Sequence, residues 1–120
     1  MATRFFFFFM LCCCLWSLVA CGSTAAAVPP VALTLHAQDI KFDVTTLKVK
    51  VHQPVTLTYI NQGTIDHAFA ITGLVDEQKI KPGQQISFTF TPPKVGTFKY
   101  RCAMPGHEAA GMVGTLLVEP

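Results

Sequence analysis

From Val31 onward, short runs of alternating apolar and polar residues are separated by turn residues, and this pattern constrains the fold most strongly. A strand places every second side chain on one face, so each run predicts a strand with one buried face. The runs lack the wide apolar stripe that a helix would need. We therefore predict an all-β domain of about seven to eight strands, folded as a Greek-key β-sandwich or barrel. The predicted strands begin near Val31, Leu47, Val55, His67, Ile86, Val95 and Met112.

The segment before this pattern reads as an export signal. A single basic residue, Arg4, precedes the apolar run Phe5 to Val19, which is the plan of a secretory leader. The end of this segment, Leu18-Val19-Ala20-Cys21, resembles the lipobox of bacterial lipoproteins, in which Cys21 would be acylated and would tether the domain to a membrane. An ordinary cleaved signal peptide and an uncleaved anchor are the alternatives, since the stretch from Phe5 to Cys21 only just reaches the lower limit of about 17 residues for a membrane span.

The predicted domain organisation follows from this leader and from the composition after it. Small residues and prolines without apolar periodicity fill the stretch up to Pro30, which favours a flexible tether. The predicted parts are a lipoprotein-type signal peptide at residues 1–20, a lipidated Cys21 with its tether at residues 21–32, and one metal-binding domain at residues 33–120.

Charge and cysteine content narrow the function. Without Arg4, eight basic residues stand against seven acidic ones, a balance of 8 − 7 = +1, and no block of like charge suggests nucleic-acid binding. With the leader removed, only Cys21 and Cys102 remain. A thiol without a partner in an exported chain is reactive, paired with another molecule or bound to a metal.

The stretch Cys-Ala-Met-Pro-Gly-His-Glu-Ala-Ala-Gly-Met favours the metal. It places Cys102, His107 and Met112 at five-residue intervals directly after a predicted strand. His67 is the candidate for a second imidazole, because it shares alternation parity with Phe69. One thiolate, two imidazoles and a weak axial thioether form the His2Cys site with methionine that binds copper in both oxidation states.

Other chemistries fit these residues less well. Structural zinc sites usually have more thiolates and no methionine. A binuclear copper centre would need a second cysteine in the loop, which residues 103–106 lack. A Cys-His nucleophile is disfavoured, because Cys102 lies at a strand end with no helix start beside it and no orienting third residue.

Two segments resemble the cupredoxins, the small blue copper proteins that include plastocyanin, azurin and rusticyanin. They are Asn-Gln-Gly-Thr-Ile-Asp-His-Ala-Phe-Ala-Ile and the 22 residues from Phe98 to Glu119, whose Cys-x4-His-x4-Met spacing is closest to rusticyanin-like members. The resemblance implies one copper ion, cycling between Cu(I) and Cu(II), held by His67, Cys102, His107 and Met112. Many members have a polar residue after the first histidine, where this chain has Ala68.

The resemblance also implies a function. We expect an exported, membrane-tethered type 1 copper protein, not an enzyme, that carries single electrons between respiratory or photosynthetic redox partners. Donor and acceptor proteins of the cytochrome or oxidase type would dock on the apolar surface around His107, with no nucleic acid and no small-molecule substrate involved. The alternatives are a periplasmic protein for copper storage or delivery to an oxidase, and an accessory subunit of a larger respiratory complex.

Overall fold

The computed structural model describes residues 26–120 and contains nine strands there, which form two sheets. The predicted signal peptide and Cys21 lie outside the described residues. Within the described range, no helix is both long and apolar enough to span a membrane. The strands are β1 (Val31–Gln38), β2 (Lys41–Phe42), β3 (Thr46–Lys50), β4 (Val55–Asn61), β5 (His67–Ile71), β6 (Val75–Ile80), β7 (Gln85–Phe90), β8 (Gly96–Cys102) and β9 (Val113–Glu119).

The chain passes repeatedly from one sheet to the other. One sheet has the order β2-β1-β4-β7, and the other has the order β3-β9-β8-β5-β6. The pairs β1/β4 and β3/β9 are parallel, whereas the remaining pairs are antiparallel. Parallel neighbours require a crossover rather than a hairpin, and here each crossover runs through the opposite sheet. The all-β sandwich expected from the sequence is therefore confirmed.

The core follows the alternation that the sequence shows. In β4, Val55, Leu57, Tyr59 and Asn61 are buried and alternate with more exposed residues. In β8 the inward positions lead to Tyr100 and Cys102, both with no exposed surface. Buried residues from both sheets form one cluster, so a single hydrophobic core joins the sheets.

Two of the nine strands were not predicted. The first, β2, has just two residues, too few to show any alternation. The second, β6, lies at the edge of its sheet, and only its last residue, Ile80, is buried. The four residues between Val75 and Ile80 are all polar, as is common in an edge strand, so the apolar period that marks a strand is missing.

Aromatic rings fill the core below the predicted site. The ring of Phe69 lies 5.4 Å from that of Tyr59 and 5.7 Å from that of Tyr100, between centroids. Tyr100 faces Gly114 across the β8/β9 pair, where a Cβ on Gly114 would meet its ring at 2.0 Å. The glycine is therefore needed for space, because it lets a large ring lie flat on the neighbouring strand.

Candidate metal centre

The topology brings three strand ends together at one end of the sandwich. β5 begins at His67 beside the end of β8, since Phe69 is paired with Cys102. β9 begins opposite the same end of β8. The loop from residue 103 to residue 112 joins β8 to β9 across this end. Three of the four predicted ligands therefore lie at or near strand termini, which positions them on a rigid frame.

Cys102 lies between the two predicted histidine ligands, His67 and His107. Its side chain is completely buried, and it is a free thiol. The amide of Ala68 donates a hydrogen bond to the Sγ atom at 3.4 Å, and the amide of Ala103 donates to the Ala68 carbonyl at 2.7 Å. Ala68 therefore connects the two ligand-bearing segments through its backbone, because its side chain is apolar.

His67 approaches the sulfur from the β5 side. Its Nδ1 atom lies 3.7 Å from Cys102 Sγ, and the residue has no exposed surface. Burial is the main cause of a lowered pKa for His67, and His107 lowers it further, while Asp39 and Asp66 act in the opposite direction. The neutral imidazole that results is the form that binds metals.

His107 approaches from the loop. Its Nδ1 atom lies 3.3 Å from Cys102 Sγ, and its ring centroid is 5.2 Å from that of His67. The candidate donor atoms of the two histidines and the cysteine all lie within 4.8 Å of one another. Unlike His67, His107 is partly exposed, so one edge of the group reaches the surface.

Met112 is tied to the other candidates through its backbone. Its amide donates to the His107 carbonyl at 3.0 Å, and its carbonyl accepts from the Cys102 amide at 3.0 Å. The residue is completely buried. Gly106 and Gly111, with φ of 83° and 99°, allow the turns of this loop, because such angles are strained for residues with a side chain. The loop is therefore folded back so that the Met112 backbone lies against those of Cys102 and His107.

Charged residues hold the outside of the same loop. Glu108 forms ion pairs with Lys99 and Arg101, both on β8. The hydrogen bond from Lys99 is the main cause of a lowered pKa for Glu108, and the charges of both cations contribute. All three side chains are partly exposed, so these ion pairs contribute modestly and are sensitive to salt.

One residue that sequence reasoning missed is Asn61, at the end of β4. It is 1% exposed and donates from Nδ2 to the carbonyl of Ile65, in the loop before His67, at 2.8 Å. A signal for it was available, because Asn61 continues the inward parity of Val55, Leu57 and Tyr59. A polar residue at an inward position requires hydrogen-bond partners, which marks it as a structural element of this loop.

The group fits one metal in particular. A buried cysteine sulfur beside two imidazole nitrogens, with a buried methionine in the same loop, is a donor set that suits copper rather than harder ions. Together with the two-sheet sandwich, it defines a mononuclear copper protein, with one copper ion as its cofactor. The family model for the cupredoxin-like domain matches residues 8–118, and the chain belongs to that family.

Two of the curated relatives found by sequence illustrate the similarity. The copper-resistant cuproprotein CopI of Rubrivivax gelatinosus is 29% identical over 119 aligned positions, covering 81% of this chain and 70% of the relative. Auracyanin-B of Chloroflexus aurantiacus is 49% identical over 41 positions, covering 34% of this chain and 17% of the relative. The second match is confined to a short segment.

Solved structures share the fold. Dithionite-reduced auracyanin from Roseiflexus castenholzii is 23% identical with a TM-score of 0.67, covering 74% of this chain and 97% of that protein. Copper nitrite reductase from Nitrosomonas europaea is 28% identical with a TM-score of 0.65, covering 76% of this chain but only 42% of the enzyme. The likeness to the enzyme is therefore confined to less than half of it.

Proposed function

We propose that this protein is a type 1 copper protein that carries single electrons, with His67, Cys102, His107 and Met112 as the copper ligands. The observation that carries the proposal is the approach of two imidazole Nδ1 atoms, at 3.7 Å and 3.3 Å, to one buried thiol. When bound, copper would supply a couple between Cu(I) and Cu(II). The similarity to an auracyanin solved in a dithionite-reduced form supports redox activity.

The contribution of the chain is to hold the donor atoms still. Backbone hydrogen bonds connect Cys102 to Met112, Met112 to His107 and Ala103 to Ala68. These bonds join both ligand segments to paired strands, so little rearrangement would accompany a change in charge. A preorganised site of this kind favours electron transfer, because the protein does not have to reorganise with each turnover.

The same donor set argues against catalysis at this site. A catalytic metal keeps a position open for water or substrate. Here the four proposed ligands would surround the ion, and the cluster is mostly buried. We propose a carrier rather than an enzyme, without a small-molecule substrate. The similarity to copper nitrite reductase extends over only 42% of that enzyme's chain.

Redox partners would dock around His107. This histidine is the one proposed imidazole ligand that reaches the surface, and its loop neighbours are small or apolar and at least partly exposed. An apolar patch of modest size suits brief contacts between proteins. The neighbours in question are Ala103, Met104, Pro105, Ala109 and Ala110. Donor and acceptor would be respiratory or photosynthetic redox proteins of the cytochrome or oxidase type.

The protein would act outside the cytoplasm, anchored to a bacterial membrane through acylated Cys21. The support is the apolar leader that ends in Leu-Val-Ala-Cys. A Cys21→Ser variant should leave the membrane fraction, whereas Cys14→Ser, inside the leader, should not. Mass spectrometry of the mature amino terminus then distinguishes acylation at Cys21 from simple cleavage.

A second candidate function is copper storage or delivery, and the similarity to a copper-resistant cuproprotein favours it. Such a protein would bind copper without cycling its charge during function. The deciding experiment is a visible absorption spectrum of the purified chain after one equivalent of Cu(II), repeated with ascorbate. An intense thiolate-to-copper band that bleaches and returns on reoxidation supports the carrier. Tight copper binding without that band supports storage or delivery, and no tight binding contradicts both.

A further inference from the structure

Asn61 connects the two segments that hold His67 in place. Its Nδ2 donates to the carbonyl of Ile65 at 2.8 Å and to that of Ile80 at 3.4 Å, and its Oδ1 accepts from the Gly63 amide at 2.9 Å. Ile65 belongs to the loop before His67, and Ile80 is paired with His67 across the β5/β6 ladder. One buried amide thus fixes both the loop and the neighbouring strand.

Gly63 lies directly against the outer edge of the imidazole. A Cβ at Gly63 would lie 3.2 Å from His67 Nε2, 3.2 Å from the Asp39 amide nitrogen and 3.3 Å from Asn61 Oδ1. The φ of Gly63 is not among the positive values, so the glycine serves close approach rather than an unusual backbone conformation. The Asn61–Gly63 turn therefore covers the side of the ring away from Nδ1.

This turn buries the Nε2 atom of His67. Its Nε2 atom is buried and has no hydrogen-bond partner in the described part of the chain. Metal-ligating histidines usually donate this second N–H to a partner that orients the ring. In this chain the position after the histidine is Ala68, which offers no side-chain brace, and the backbone of Gly63 occupies the space beside Nε2 instead.

We propose that Asn61 and Gly63 are positioning residues for His67. The buried amide closes the loop over the Nε2 edge, and packing rather than a hydrogen bond to the ring keeps Nδ1 directed at Cys102. This inference rests on the proposed function of His67 as a copper ligand. Its consequence is that the environment of the copper depends on a residue that contacts neither the metal nor the sulfur.

The test compares Asn61→Ala with Val55→Ala in the full chain. Val55 is equally buried at the far end of β4, so its truncation destabilises the core without touching the loop. NMR of the Cu(I) protein, labelled with 15N-histidine, measures exchange of the His67 Nε2 proton with water. We expect Asn61→Ala to accelerate this exchange at least about tenfold, because local opening now exposes the ring, and to move the thiolate-to-copper band of the Cu(II) form. Val55→Ala should do neither.

Gly63→Ala keeps the inference testable where Asn61→Ala does not fold. The added methyl group should displace the His67 ring by a few tenths of an ångström and move the same band, while copper remains bound. Unchanged exchange and an unchanged band in Asn61→Ala, changes in Asn61→Ala that Val55→Ala reproduces, or an unchanged band in Gly63→Ala would overturn the inference. A wild-type protein that binds no copper would instead contradict the proposed function, so the two failures are distinguishable.

Discussion

The two loops that present the histidines are held in opposite ways. The loop before His67 is closed by a buried amide on Asn61, and its histidine is inaccessible to solvent. The loop that carries His107 is held by its own turn hydrogen bonds and by the exposed ion pairs of Glu108. The difference indicates that one loop anchors the site to the core, whereas the other has to leave its ligand accessible.

The largest expected effect comes from the residue that both loops contact. Cys102→Ser should abolish the intense thiolate-to-copper band, because the serine hydroxyl is a hard oxygen ligand that cannot replace the soft sulfur. Visible spectroscopy after addition of one equivalent of Cu(II) measures this directly. Met112→Leu is the matched control, since it removes only the weak axial thioether and should keep the band while shifting the reduction potential. A band that persists in Cys102→Ser would refute the proposed ligands.

Removing each imidazole tests the contrast in accessibility. In His107→Gly the space opens at the surface, so added imidazole should enter and restore the band. In His67→Gly the space is enclosed by the Gly63 turn and added imidazole should restore little or nothing. The measurement is the absorbance of the Cu(II) form as imidazole is titrated. Equal restoration in both variants would show that the anchoring loop opens as readily as the exposed one.

Not every buried polar group on the anchoring side is stabilising. Tyr59 lies on β4 near Asn61, and its hydroxyl is buried without a partner among the described residues. Burial, and to a lesser degree the Cys102 thiolate, raises the pKa of this phenol well above its usual value. Tyr59→Phe should therefore raise the free energy of unfolding of the metal-free protein by roughly 1 kcal/mol.

The matched variant for this prediction is Tyr100→Phe. The Tyr100 hydroxyl donates to the Val44 carbonyl, so its removal should lower the free energy of unfolding by roughly 1 kcal/mol. Denaturant unfolding of the metal-free chain measures both changes. If Tyr59→Phe instead lowered the free energy of unfolding, the buried Tyr59 hydroxyl would be stabilising without a hydrogen bond. Tyr59 would then no longer contrast with Asn61, whose buried amide is hydrogen-bonded.

How far the sequence could predict this arrangement depends on the kind of signal each residue leaves. Alternation predicted the long strands and the inward direction of His67 and Cys102, because burial on one face repeats every second residue. The parallel pairing of β1 with β4 left no such trace, since it depends on which strands meet across the fold. The role of Asn61 was also missed, because a single buried amide acts through backbone groups that its own position does not reveal.

The smallest expected effect lies in the exposed loop. The pKa of Glu108 is lowered in the folded protein, chiefly by Lys99, so its ion pairs add stability at pH values above the ordinary value of 4.5. That contribution is lost as the pH falls from there through the lower folded value. Glu108→Gln should consequently be less stable than wild type at neutral pH and low salt, and equally stable in acid.

Salt separates this exposed contribution from a buried one. At about 1 M salt the screening length is about 3 Å, so the neutral-pH difference between Glu108→Gln and wild type should vanish, whereas that between Asn61→Ala and wild type should persist. Denaturant unfolding of the metal-free proteins, at both salt concentrations and at two pH values, gives the comparison. If the difference in free energy of unfolding between Glu108→Gln and wild type persisted in high salt and in acid, the methylene groups of Glu108 would have to pack on β8. Both histidine loops would then be anchored by buried contacts.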